Sequence, residues 1–376
     1  MEPQVKKINT FISNLVLFTD YYLYKLFSLF KKKDIPLDKI KKILIVELTQ
    51  IGDVIATTPV LRALKKNFKN SYISVMIFPE MKDIFVNNPN VDDFILYKEQ
   101  KFFDLVKEVK NKDFDLAVIL RPGSVKISLL LYLSKIDYRI GCRRPVILEG
   151  KGYFLTKKVK PSSGRKHIID ENLEVLKLIN IKTDDKSLEL YTDKDSEKYI
   201  TNLLTKSKLN NKKIIAIHPG CNLENHRWLN QKFSVLADTL IKKYNVSIIL
   251  TGSEKDKLLA DDIQNNMNNG CLNLAGKTNL KQFIALIKRM DMLISVDTSA
   301  IHIASAFNTP VIALFGAGDP KIWGPYSKKS SVIFKDKEVC TSCMKEKCIY
   351  KSKRFMECMK KIGVEDILLE VKRLMR

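Results

Sequence analysis

The sequence predicts two doubly wound α/β domains, each a parallel sheet with helices on both faces. Three observations carry this. Short apolar runs rich in β-branched residues alternate with stretches of helical periodicity along most of the 376 residues. The segments joining successive strands are long enough for the crossover that parallel pairing requires. Glycine and short polar residues stand directly after the strands, where open parallel sheets bind their ligands. At about 150 residues per domain, a chain of this length holds two domains, each with a core of its own.

Taken in order, the first half opens with a strand over 43–48, the loop Thr49-Gln50-Ile51-Gly52-Asp53, and a helix over about 55–68 that tolerates Pro59 in its first turn. Further strands are expected over 72–78 and 116–120. The second half repeats the scheme: strand 214–218, helix 231–243, strand 246–250, helix 255–267, strand 292–296, helix 298–307 and strand 311–315. The lysine-rich stretch 182–213 is the best boundary, dividing 39–185 from 186–376. A last helix over about 364–376 could pack on either half. Residues 1–38 stand apart. Phe11, Ile12, Leu15, Val16, Leu23, Leu26, Phe27 and Phe30 recur at helical spacing, and Lys31, Lys32 and Lys33 follow at once. An aromatic-rich amphipathic helix with a basic flank suits the surface of an anionic bilayer. Docking on the protein itself is the alternative.

Composition narrows the class. At 45% hydrophobic, 9% aromatic and 28% charged residues, the chain is ordinary globular protein. No run approaches the roughly 18 apolar residues of a membrane span, and no cleavable signal peptide opens the chain. Seven cysteines are sparse and odd in number, which excludes a disulfide scaffold and fits the cytoplasm. Lys and Arg total 65 against 42 Asp and Glu, a formal net charge of +23. Between Arg121 and Lys166 twelve basic residues face two acids, Asp137 and Glu149, a net +10. That segment holds Arg139, Arg143, Arg144, Lys157, Lys158, Lys160 and Arg165. Guanidinium forks suit bidentate contact with phosphate, so a multiply anionic partner is one reading and a solvated basic face the other. Nucleic acid is disfavoured, because no zinc-finger, basic-zipper or RNA-recognition signature is present and aromatics do not interleave with the basic run.

The chemistry should sit at the strand ends: Gly52-Asp53, His218-Pro219-Gly220, Thr251-Gly252-Ser253, Asp297-Thr298-Ser299 and Gly316-Ala317-Gly318. Only 14 glycines exist, yet several stand there, where backbone must approach a ligand. Neither a P-loop nor GxGxxG occurs, so neither a phosphoryl-transferring NTPase nor a dinucleotide oxidoreductase is indicated.

Three blocks resemble one known family. They are ILIVELTQIGDVIATTPVLRAL (43–64), HPGCNLENHRW (218–228) and SVDTSAIHIASAFNTPVIALFG (295–316), the last with a D-T-x-x-x-H signature. The cysteine-bearing tail CTSCMKEKCIYKSKRFMECM (340–359) is also like that of many members. On these blocks the chain resembles the ADP-heptose:lipopolysaccharide heptosyltransferases of glycosyltransferase family 9, over about residue 40 to the C-terminus. The resemblance implies a GT-B fold, with an acceptor domain, a nucleotide-sugar domain and a cleft between them. It implies an inverting, metal-independent transfer of a heptose from an ADP-sugar to a lipid-linked saccharide, on the cytoplasmic face of the inner membrane. The alternatives are a member using another donor, such as an N-acetylhexosamine nucleotide, or a non-catalytic saccharide-binding module.

Residue by residue, the resemblance and the chemistry meet at Asp53. Inverting transfer needs a carboxylate to take the acceptor hydroxyl's proton, and the family places its proposed base at this Asp; a helix cap is the structural alternative. Gly52, Thr57 and Thr58, with Arg121, Arg143 and Arg144, are expected at the acceptor. Asp297, Thr298, Ser299, Ala300 and His302 are expected at the donor, since a helix starting there aims N–H groups at a diphosphate. For His302 a satisfied helix histidine is the alternative. Two departures stand out. His226 occupies the position where family members usually show Lys, leaving Arg227 to supply the phosphate charge, and Glu47 stands where a basic residue is common. Trp228 is expected to pack the following helix. Gly252, Ser253, Glu254 and Asp256 either bring an acid to the ribose or cap a helix. Cys340, Cys343, Cys348 and Cys358 could hold a structural zinc or stand as free thiols or redox pairs. No Asp-x-Asp is read as a metal site for a sugar-nucleotide diphosphate, and no cofactor beyond the donor sugar nucleotide is expected.

Overall fold

A computed structural model describes residues 34–98, 101–121, 124–142, 154–159, 165–209, 212–335 and 339–375. The amphipathic segment over 11–30 therefore lies outside the described residues, as do Arg143 and Arg144.

Two six-stranded sheets organise the chain, and every strand pair in them is parallel. The first runs β3-β2-β1-β4-β5-β6, from β1 (Lys42–Glu47), β2 (Tyr72–Ile77), β3 (Asp93–Leu96), β4 (Leu116–Arg121), β5 (Tyr138–Cys142) and β6 (Lys157–Val159). The second runs β12-β11-β10-β7-β8-β9, from β7 (Ile214–His218), β8 (Ser247–Leu250), β9 (Leu272–Asn273), β10 (Met292–Val296), β11 (Val311–Phe315) and β12 (Ser330–Phe334). Both orders reverse beside the strand that opens the half, β1 and β7. That reversal opens a crevice beyond the strands' carboxyl ends.

The apolar strands follow from being covered on both faces. Ile43 and Ile45 of β1 join a cluster with Val60, Leu61 and Leu64 of the helix Thr58–Asn67, while Leu44 and Val46 point the other way, to Leu105, Val109 and Ile127. In β7, Ile214 and Ala216 face one core, Ile215 and Ile217 the other. The first of these clusters continues from the N-terminal sheet to Ile301 and Ala304 beside the second, so the two halves share a packed seam. The last helix, Val364–Leu374, settles on the second half, with Ile367, Leu368 and Val371 against Phe233, Leu236 and Leu240.

Two differences from the sequence expectation bear on the site. The loop over 49–53 is shorter than expected, because a helix begins at Ile51 and ends at Ile55, and a second follows over Thr58–Asn67. Pro59, in the first turn of the second, restarts the chain there. The helix expected over 255–267 is a 3-10 turn, Glu254–Asp256, leading into Lys257–Asn265.

Candidate active site

The N-terminal half contributes the turn after β1. Gln50 is the N-cap of the helix Ile51–Ile55, so Asp53 lies in its first turn, where the positive end of the helix favours a carboxylate. Asp53 is half-buried. The helix is held from behind by Asn172, whose side-chain amide donates to the Ala56 carbonyl at 3.3 Å.

Opposite stands the turn after β10. Thr298 is the N-cap of the helix Ser299–Ala306, in extended conformation and without a side-chain cap of its own. The first N–H groups of that helix are thus left to a ligand. Asp297 is fixed by His226, whose Nδ1 lies 3.1 Å from its Oδ2. Gly318, after β11, closes this corner, since a Cβ there would overlap Asp297 Oδ2 and come within 3.3 Å of His226 Cε1. Arg227 donates through Nε and Nη2 to the Cys221 carbonyl at 3.2 and 2.9 Å. Burial pushes the Cys221 thiol up to about 12 despite the adjacent guanidinium, so it is no nucleophile.

The two turns touch. A Cβ on Gly52 would lie 2.8 Å from Cδ2 of His302, closer than real side chains come, so the bare glycine lets the Asp53 helix seat against the helix Ser299–Ala306. Burial, with a smaller contribution from His167, pulls the His302 imidazole down to about 3, which keeps it neutral. Its Nδ1 is buried and has no hydrogen-bond partner among the described residues. Nearby, Arg165 Nη1 meets buried Asp319 Oδ2 at 2.6 Å, and His167 Nε2 lies 3.0 Å from the Gly324 carbonyl. The halves are therefore latched beside the cleft.

The sequence pattern described as "Glycosyltransferase family 9 (heptosyltransferase)" matches residues 102–354, more than half of the chain. The chain belongs to glycosyltransferase family 9. Among its relatives, "Lipopolysaccharide heptosyltransferase 3" of Escherichia coli is 28% identical over 293 residues, covering 73% of this chain and 84% of that one. Among solved structures, the family 9 glycosyl transferase of Veillonella parvula superposes with a TM-score of 0.76 at 22% identity, covering 89% of this chain and 97% of that one. The E. coli ADP-heptose lps heptosyltransferase II gives 0.74 at 22% identity, covering 89% and 98%. These superpositions establish the GT-B-like fold.

Within the transferase, the site residues read from the sequence separate into groups. Gly52, His226, Asp297, Thr298, Ser299 and His302 come together around the two turns, with Asp53 one residue beyond Gly52. Ala300 is fully buried and can offer only backbone. His302 stands behind the donor turn, against Gly52, and works as a contact between halves. Three of the residues expected at the acceptor lie in and around the first sheet. Thr57 and Thr58 are fully buried, and their hydroxyls donate to the Val54 and Ile55 carbonyls at 2.7 and 2.9 Å, so they end one helix and start the next. Arg121 ends β4 in register with Glu47, which is buried and accepts from the Thr49 hydroxyl.

The basic segment is partly structural. Arg139 is half-buried and donates to the carbonyls of Phe154, Ile136 and Asp137. Asp256 is taken up by Ser253, whose N–H and hydroxyl donate to its Oδ2 at 2.9 and 2.7 Å, while Glu254 stays exposed at the rim. Gly252 is needed there because a Cβ would lie 2.8 Å from Asp256 Cβ. Trp228 is buried, meets Phe233 edge-on at 4.8 Å and donates to the Ile362 carbonyl at 3.1 Å. The tail thiols sit near one another: Cys358 is pushed up to about 11 by burial and then by Cys340, Cys343 and Cys348. Among the described residues, however, no three His, Cys, Asp or Glu side chains are arranged to hold a metal ion. Sequence reading missed the Arg165–Asp319 latch, because a long-range pair leaves no local pattern.

Proposed function

We propose that this transferase moves a heptose from ADP-heptose to a lipopolysaccharide core or a related lipid-linked saccharide, with inversion and without a metal. The observation that carries the reading is the seating of the Asp53 helix against the donor helix through Gly52 and His302. The relatives suggest the donor and acceptor classes: one is a lipopolysaccharide heptosyltransferase, another an ADP-heptose lps heptosyltransferase. The division into an acceptor domain, 39–185, and a donor domain, 186–376, belongs to the same proposal.

In this reading the Asp53 carboxylate takes the proton of the acceptor hydroxyl as its oxygen attacks the anomeric carbon. The bond to the diphosphate breaks on the opposite face of the sugar. Its developing charge is met by the N–H groups at the start of Ser299–Ala306 and by the Arg227 guanidinium. His226 holds Asp297 in place for the sugar hydroxyls.

Transfer of radiolabelled ADP-heptose to deacylated, inner-core-truncated lipopolysaccharide tests the proposal, with the product's anomeric configuration read by NMR and turnover repeated in EDTA. Asp53→Ala is expected to lower kcat by about 10²–10⁴-fold, the range of general-base catalysis, while ADP affinity stays within a few-fold. Retained turnover ends the assignment. The zinc expected of Cys340, Cys343, Cys348 and Cys358 is tested by elemental analysis of the purified chain. About one zinc per chain supports it, and none ends it.

A further inference from the structure

The cysteine-bearing tail is pinned to the carboxyl end of the second sheet. Ser342 and Met344 donate their N–H groups to the Gly316 and Ala317 carbonyls, both at 2.9 Å, just beyond β11. The Asn225 side chain donates to the Lys345 carbonyl at 2.8 Å, from the 3-10 turn Glu224–His226 that follows β7. The loop over 344–354 therefore lies on the rim where β7 and β11 end. Beyond those anchors it is open to solvent. Met344 is 49% exposed and Ile349 64%. Lys345, Lys347, Lys351 and Lys353 are exposed too, and among the described residues none of the four has a carboxylate partner. The Arg354 guanidinium lies 3.9 Å from the Tyr350 ring centroid, with Glu357 Oε2 3.7 Å from its Nε. Over 344–354 five basic residues accompany one acid, Glu346.

We infer that this loop is a docking surface for an anionic bilayer, and that it turns the mouth of the cleft toward the membrane. The inference rests on the proposed function only for the acceptor's being lipid-borne. Charge supplies the attraction, since a lysine close to an anionic leaflet gains about fivefold in partitioning. The apolar side chains decide between anionic partners. Met344 and Ile349 gain by entering the boundary between headgroups and acyl chains, while the lysines lay their stems along it and keep their ammonium groups in water. Tyr350, an apolar ring with a polar tip, suits the same depth. An anionic saccharide would meet the same lysines but leave Met344 and Ile349 in water. Position argues the same way. Ligands of open parallel sheets enter beyond the carboxyl ends of the strands, and a lipid-borne acceptor has to arrive there from the bilayer. Two apolar side chains and a handful of cations make a contact suited to orienting the enzyme more than to anchoring it, since even one acyl chain binds only marginally.

Partitioning of the full chain onto phosphatidylglycerol–phosphatidylcholine vesicles is measured by co-sedimentation at limiting lipid. Lys345→Gln, Lys347→Gln, Lys351→Gln and Lys353→Gln together are expected to lower the partition coefficient at least tenfold and to flatten its dependence on salt. Ile349→Ser should lower it about threefold. The replaced side chains are exposed and the Lys345 anchor is its carbonyl, so ADP affinity and transfer to a deacylated acceptor should stay within twofold. Ile349→Trp reports on the loop whatever else holds the chain: its emission, read against that of the parent, should be quenched by brominated phosphatidylglycerol. Unquenched emission overturns the docking surface. So does unchanged partitioning in both the lysine and the Ile349→Ser variants, or a parent chain that ignores the vesicles. A raised Kd for the deacylated saccharide in the lysine variant, with partitioning unchanged, would make the acceptor's own anions the partner, which also overturns it. Vesicle docking by a chain that transfers no heptose strikes the proposed function alone.

Discussion

The two buried histidines show how single residues set the conditions under which the site holds together. His218 Nδ1 lies 2.9 Å from the Thr251 hydroxyl after β8, and burial pulls its imidazole down to about 4; for His302 the value is about 3. Unfolded, both take up a proton near pH 6.5, whereas folded they resist until far lower pH. Below pH 6.5 the unfolded state therefore binds more protons, so stability is complete above that pH and is lost as pH falls. Each histidine contributes up to about 1.4 kcal/mol per pH unit in that window. Urea unfolding at pH 7 and pH 5 should show the loss, and His302→Gln should flatten it by roughly half of the histidine contribution. An identical pH slope in the variant would contradict the burial argument. The sequence marked His302 through its D-T-x-x-x-H spacing, but not its direction. That it faces Gly52 and not the open donor turn depends on a contact across some 250 residues, which no local pattern records.

Among the elements, those that built the sheets were legible because parallel strands buried on both faces need unbroken apolar runs. β1, β7, β10 and β11 lie within one or two residues of their expected limits. Elements without such runs were not legible. The helix Val125–Leu133 is apolar nearly all round and offers no periodicity, and β9 is two residues long. The helix Lys194–Lys206 lies inside the stretch read as a boundary, because Ile200 and Leu204 are its only buried apolar residues amid lysines. The short helix Pro320–Trp323 was missed too, and it bears on the site. Asp319 caps it, accepting from the Lys321 N–H at 3.0 Å, and its other oxygen meets Arg165. Asp319 is 2% exposed and Arg165 59%, so the pair is screened on one side only. Arg165→Ala should cost about 1 kcal/mol after that screening, and loosen the 316–319 turn that holds Asp297. ADP affinity should weaken a few-fold by calorimetry. Unchanged ADP binding would mean that the latch does not reach the donor corner.

At the scale of the molecule, the +23 charge is divided among different tasks. Arg139 and Arg165 serve the fold, Arg227 holds the Cys221 carbonyl, and Lys98 and Lys126 line a cavity of the N-terminal half. The Lys31–Lys33 run and the amphipathic pattern before it remain, outside the described residues. Among the described residues no helix is long and apolar enough to cross a membrane. The described chain begins beside Ile35, which is buried against the N-terminal half, and enters β1 at its amino end. Six residues at about 3.3 Å each place that entry roughly 20 Å from the carboxyl edge where Asp53 lies. A segment joined there can tether the enzyme without entering the site. Removing residues 1–33 should release the protein from anionic vesicles in a flotation assay and raise KM for a membrane-embedded acceptor. Turnover of the deacylated, soluble acceptor should stay within about twofold, because Asp53 and the Asp297–His302 turn are kept. Undiminished vesicle binding would show that the tether lies elsewhere. An equal loss of turnover with the soluble acceptor would instead assign the segment to the fold, as a helix docked on the protein itself.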